Sequence, residues 1–210
     1  MRSNISRIPM AFAALILCVA SSTSSYAAGD ADAGKARAAV CMACHGMDGN
    51  SANPEWPTLA GQHEDYIVTQ LTAFQEGKRK NVLMSPMSMG LTDTDKANLA
   101  AFYSSQTTKT TPVDPALVDQ GRKLYLAGDS ERGIAACASC HGPTGRGNGP
   151  AGMPVLSGQR STYTVNQLKA YADGTRVAAS EVKTSMMHEI AKSLTAEDMV
   201  AVANFVQGLK

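Results

Sequence analysis

Cys41-Met42-Ala43-Cys44-His45 and Cys137-Ala138-Ser139-Cys140-His141 share one spacing: two cysteines with two residues between them and a histidine directly after the second. Cysteines so spaced can each add across a vinyl group of one haem, and a histidine in the next position then lies under the iron as its proximal ligand. Cysteine pairs at this spacing also serve redox disulfides and zinc sites. Neither chemistry calls for a histidine directly after the pair, and here it occurs twice. The motifs therefore read as two haem attachment sites. Cys41, Cys44, Cys137 and Cys140 carry the covalent links, and His45 and His141 are the proximal ligands.

An iron with a proximal histidine needs a sixth ligand, or an open position if a small molecule is to bind. The chain has 11 methionines, and most methionines are adaptable packing, so abundance selects none of them. An internal repeat does. Leu59-Ala60-Gly61-Gln62 matches Leu156-Ser157-Gly158-Gln159 at an offset of 97, as do Tyr66, Gln70, Leu71, Phe74 and Gly77 with Tyr163, Gln167, Leu168, Tyr171 and Gly174. After a six-residue insertion, Met84, Leu91 and Phe102 match Met187, Leu194 and Phe205 at 103. Met84 and Met187 thus hold equivalent places and are the expected sixth ligands, with Met87 and Met186 as the alternatives by a register slip. His63 and His188 fall opposite Arg160 and Ser85 in the repeat, so neither repeats as a ligand would. Ligation of the second iron through His188 remains the bis-histidine alternative. Each proximal ring also needs an acceptor for its other nitrogen, usually a backbone carbonyl, and the rigid loops at Pro57 and Pro154 are placed to offer one.

These residues must be delivered by helices. Residues 34–40 are alanine-rich and run straight into the first motif. The spacing of Tyr66, Ile67, Gln70, Leu71 and Phe74 predicts a helix from 63 or 64 to 76, stopped by Gly77. Thr92 with Asp95 three residues on predicts the start of another, through Leu99, Ala100, Phe102 and Tyr103. Residues 104–115 read as a linker, after which a helix over 115–127 opens a replay of the first half. The basic run Lys78-Arg79-Lys80 reads as a solvated cap on a helix end rather than a docking patch.

The chain begins with Arg2 and Arg7, an apolar run over 10–20 and small polar residues over 21–25, the order of a secretory signal cut after Ala27. The run is too short for a membrane anchor. Cys18 leaves with the signal, so every remaining cysteine lies in a motif and none is left for a disulfide, in a chain bound for the periplasm. Without the signal's arginines the basic residues number 17 against 18 acidic ones, which excludes a nucleic-acid footprint. Duplication divides the mature chain into domains over 28–111 and 112–210. Each is small enough for burial alone to give a marginal core, and a haem supplies the missing apolar mass.

Two such motifs, the paired Leu-x-Gly-Gln segments after Pro57 and Pro154, the methionines before Leu91 and Leu194, and the mature start Ala28-Gly29-Asp30-Ala31 make the whole mature chain resemble the cytochrome c4 family. The resemblance implies an all-α fold of two tandem class I cytochrome c domains facing each other across a pseudo-twofold interface. It implies two covalently bound haem c groups, each with histidine and methionine ligands, and no catalytic residues. It further implies a periplasmic monomer that carries electrons one at a time, in peripheral association with the inner membrane. A membrane quinol-oxidising complex would be its donor and a terminal oxidase its acceptor. The rivals are a dihaem peroxidase-type enzyme with one open iron and a haem-based sensor module. A methionine at the matching place in both halves opposes the first, and no signalling element supports the second.

Overall fold

The computed structural model describes residues 29–177 and 182–210. The signal expected over 1–27 lies outside them, and no helix among the described residues is long and apolar enough to cross a membrane. The first half carries α1 (Ala31–Arg37), α2 (Ala39–His45), α3 (Glu64–Gln75), α4 (Met84–Met89) and α5 (Asp93–Ser104). The second carries α6 (Pro115–Ala127), α7 (Ala138–His141), α8 (Ser161–Ala172), α9 (Val182–Ala191) and α10 (Ala196–Gly208). Apart from helices, the described residues form only isolated bridges, Asp129 with Ile134 and Asn148 with Met153. The molecule is all-α, as expected.

Local chemistry sets the helix ends. Thr92 accepts from the Asp95 amide while the Asp95 carboxylate accepts from the Thr92 amide, and Thr195 with Asp198 repeats this capping box 103 residues later. Asp114 caps α6, with Pro115 in the first turn, where its missing N–H costs nothing. The helix expected over 34–40 is divided at Ala38, a fully buried residue with φ −70° and ψ −9°. The break leaves α1 packed on α5 and lets α2 carry the first motif away from that contact.

In each half the first helix crosses the last, α1 on α5 and α6 on α10. Both crossings close on a glycine. A methyl group on Gly34 would run into the Asn98 carbonyl and the Phe102 side chain, and one on Gly121 into the Ala201 carbonyl and Phe205. Around these crossings lie two apolar cores. One gathers Ile67, Leu91, Leu99, Phe102 and Tyr103, the other Leu124, Tyr125, Ile134, Val202 and Val206. The buried tyrosine comes from the last helix in the first half and from the first helix in the second, so the halves solve one packing problem differently.

The segment read as a linker is tied down at both ends. The Thr108 hydroxyl donates to the Ala60 carbonyl at 2.6 Å, and the Gln207 side chain donates to the Pro112 carbonyl at 2.6 Å. Thr108 also lies against Gly61 and Gly158, equivalent positions in the repeat, so the linker crosses between the halves where they mirror one another.

Two stability measurements follow from this packing. Gly121→Ala places a methyl against a backbone carbonyl and is expected to lower the unfolding free energy by about 1–3 kcal/mol. Gly90→Ala, with open space around the position, should leave it unchanged or raise it by up to about 1 kcal/mol; chemical denaturation of both variants checks the contrast. The second concerns Asp198, whose buried carboxylate pairs with Arg132 at 2.5 Å. Hydrogen bonds from Arg132 hold this carboxyl below its ordinary range against the opposing effect of burial. Its folded pKa is therefore lower than its unfolded one, and the stabilisation is present above the unfolded value and lost as pH falls through the folded value. Asp198→Asn should cost on the order of 1 kcal/mol at pH 7, and the deficit should shrink in denaturant titrations run at progressively lower pH towards about 3.

Candidate haem-binding sites

Helix α2 ends on His45 and α7 on His141, each only 6% exposed. His45 Nδ1 lies 2.9 Å from the Pro57 carbonyl oxygen and His141 Nδ1 lies 3.0 Å from that of Pro154. A carbonyl only accepts, so Nδ1 must hold the proton and donate it, which leaves Nε2 with a free lone pair directed away from the loop. Burial pushes both imidazoles below their ordinary pKa, outweighing these hydrogen bonds, so both rings are neutral near pH 7. A neutral, oriented imidazole with an open Nε2 is what a metal ligand requires.

The four motif cysteines are partly buried, and none is in a disulfide. Burial pushes the Cys137 thiol up to about 11 and raises Cys41 as well, which argues against a redox pair built on a poised thiolate. The motifs do not converge on a shared metal either. Among the described residues no group of three or more histidine, cysteine, aspartate or glutamate side chains is placed to hold one, which leaves the zinc alternative without a ligand set.

Both motifs open into one cavity of about 1830 Å³ that spans the two halves. Leu59, Ile67 and Leu71 line it on one side, and Leu156, Leu168 and Leu194 on the other. Its size and apolar walls suit large flat apolar ligands better than a polar substrate. Met84, Met87, Met186 and Met187 all reach it, and burial separates them. Met84 and Met187 are partly buried, whereas Met87 is 48% and Met186 43% exposed. Met84 opens α4, and its amide donates to the Asn81 side chain at 2.9 Å. His188 Nδ1 lies 2.6 Å from the Tyr171 carbonyl oxygen, and His63 Nε2 lies 2.9 Å from that of Arg146 in the other half. The expected carbonyl acceptors at Pro57 and Pro154 are both present.

The repeat had also singled out Gln62 and Gln159 without suggesting a role. Gln62 accepts from the Val155 amide at 2.9 Å and donates to its carbonyl at 3.0 Å. Gln159 accepts from the Thr58 amide at 2.8 Å and donates to its carbonyl at 2.9 Å. Thr58 and Val155 directly follow the prolines that hold the imidazoles, so each half clamps the other's proximal loop. All four residues are buried. One expectation fails here. Arg79, read as part of a solvated helix cap, turns inward across the interface to Tyr163 and Gln167. No local pattern marks this, because its partners lie 84 and 88 residues away.

Residues 31–107 and 118–210 each match the family model described as Cytochrome c. Over 195 residues the chain is 42% identical to a cytochrome c4 of Pseudomonas aeruginosa, covering 93% of this chain and 96% of that one. It is 39% identical over 174 residues to a thiosulfate dehydrogenase electron acceptor of Thiomonas intermedia, covering 80% and 78%. Among solved structures, reduced recombinant cytochrome c4 from Pseudomonas stutzeri superposes with a TM-score of 0.83 at 41% identity, covering 87% of this chain and 100% of that one. With two cytochrome c domains, two attachment motifs for covalent haem c and these relatives, the chain belongs to the cytochrome c4 family of dihaem electron-transfer proteins.

Proposed function

We propose that the chain works in the periplasm as a one-electron carrier with both irons closed to substrate. Residues 1–27 direct export, and the domains over 28–111 and 112–210 each hold one haem. Cys41 and Cys44 form the thioethers of the first, and Cys137 and Cys140 those of the second. His45 with Met84 and His141 with Met187 are the axial pairs. The observation that carries this reading is the same in both halves: a buried imidazole fixed by a proline carbonyl shares its cavity with a methionine more buried than the alternative methionine beside it.

Bound haem supplies reversible one-electron chemistry, and a thioether ligand favours its ferrous form. The protein's residues do the rest. Pro57 and Pro154 set the direction and basicity of the imidazoles, and the leucine-lined walls exclude water. The peroxidase and sensor alternatives need an exchangeable position at one iron, and a methionine available at each site speaks against both. The name of the Thiomonas relative, an electron acceptor, supports a carrier rather than an enzyme. A membrane quinol-oxidising complex as donor, a terminal oxidase as acceptor, peripheral membrane association and a monomeric state complete the proposal on the strength of the family resemblance.

Met84→Ala and Met187→Ala, made singly, should each remove one of two methionine-to-ferric-iron absorption bands and lower one reduction potential. Met87→Ala and Met186→Ala should leave both bands in place. Two intact bands in Met84→Ala or in Met187→Ala would refute that ligand.

A further inference from the structure

Three polar side chains join the segment that carries Met84 to the helices behind it. Lys96 on α5 donates to the Thr72 hydroxyl at 3.0 Å and to the Gln75 side-chain oxygen at 2.9 Å, both on α3. Gln75 in turn donates to the Leu91 carbonyl at 2.7 Å, just past the end of α4. The Leu91 amide donates to the Ser88 carbonyl at 3.1 Å, and the Ser88 hydroxyl donates to the Met84 carbonyl at 3.0 Å. Lys96 is thereby linked, contact by contact, to the backbone of Met84.

The second half builds the same place without any of the three. Under the repeat Lys96 falls opposite Met199, Ser88 opposite Ala191 and Gln75 opposite Ala172. The backbone turn itself is kept, since the Leu194 amide donates to the Ala191 carbonyl at 3.1 Å. Helix α9 is tied to the preceding helix by His188, whose Nδ1 lies 2.6 Å from the Tyr171 carbonyl oxygen. Met199 and Ala191 are buried, so apolar packing completes the fold there. Lys96 is equally buried, at 4% exposed, while Asp93, the carboxylate it meets at 2.8 Å, lies in solvent. Burying an ammonium costs free energy that an apolar side chain would not, and the second half shows that the packing does not require one.

We propose that Lys96 and Gln75 are positioning residues for the first iron's methionine, holding α4 so that the Met84 sulfur stays on the metal, and that the second iron's methionine is held without such a chain. The inference rests on the reading of Met84 as the sixth ligand. Helix α4 needs the support, because six residues are too few to hold a helix by themselves and Ser88 is its only buried residue. With no apolar face to dock, α4 is fixed through polar contacts at Ser88 and Leu91, and those contacts lead back to Gln75 and Lys96. Groups behind a metal ligand set its direction and its persistence on the metal.

The test is the rate at which imidazole displaces methionine from the ferric irons of the loaded protein, followed through the methionine-to-iron bands. At an imidazole concentration where the rate no longer rises, it reports opening of the iron–sulfur bond. Met84→Ala identifies the first iron as the one whose band it removes. Gln75→Ala and Lys96→Met, each bringing in the residue of the second half, should speed opening at that iron by about fivefold, the worth of about one hydrogen bond, and leave the other iron unchanged. Gln75→Glu, which keeps the acceptor for Lys96 and loses the donor to Leu91, should speed it as much while its denaturation midpoint stays at or above that of Gln75→Ala. A residue that only stabilised the fold would not separate rate from stability in this way. A wild-type rate at the first iron in any of these three variants would overturn the proposal, as would equal acceleration at both irons. Two intact bands in Met84→Ala would overturn the ligand reading itself, and this proposal with it.

Discussion

A histidine serves as an iron ligand only if Nε2 is free of its proton and fixed in direction, and here both conditions come from one backbone carbonyl per half. The rest of the fold maintains that contact. The prolines at 57 and 154 stiffen the loops that carry the carbonyls, and the next residue in each loop is held through both of its backbone groups by a glutamine from the opposite half. Proximal geometry in one domain thus depends on docking of the other. Burial then keeps the rings neutral, which an exposed histidine near pH 7 would not guarantee.

The same interdependence runs through the interface. The glutamine clamps, the contacts of Arg79 with Tyr163 and Gln167, and the linker residue Thr108 all involve positions paired by the repeat. An interface built from equivalent residues of two tandem copies is self-complementary, as in a twofold dimer, with the linker keeping the copies together. The large cavity belongs to both halves.

What the sequence revealed was whatever is encoded locally or by repetition. The attachment motifs need only five residues, the capping box at Thr92 only four, and α6 matches its expected limits because an aspartate and a proline define its start. The repeat pointed to the proline carbonyls that meet both imidazoles, and to Met84 and Met187, which reach the cavity. The break at Ala38 has no sequence signature, because an alanine is equally content within a helix and at its end, and only the packing of α1 on α5 decides. Helix α4 was hidden by its serines and Pro86. It forms because Asn81 takes up the first amides and the Ser88 hydroxyl donates to the carbonyls of Met84 and Ser85. Arg79 departs from the solvated role expected of it because a basic run after a helix is normally exposed, and only the second domain gives it partners.

The central claim is that both irons are closed by protein ligands, which makes the molecule a carrier. The most direct measurement is a potentiometric titration of the loaded native protein, with spectra recorded throughout and repeated under carbon monoxide. The account predicts two one-electron steps, low-spin spectra at both haems and no change under the gas. Rapid carbon monoxide binding at either reduced haem, or a high-spin ferric fraction at neutral pH, would contradict it.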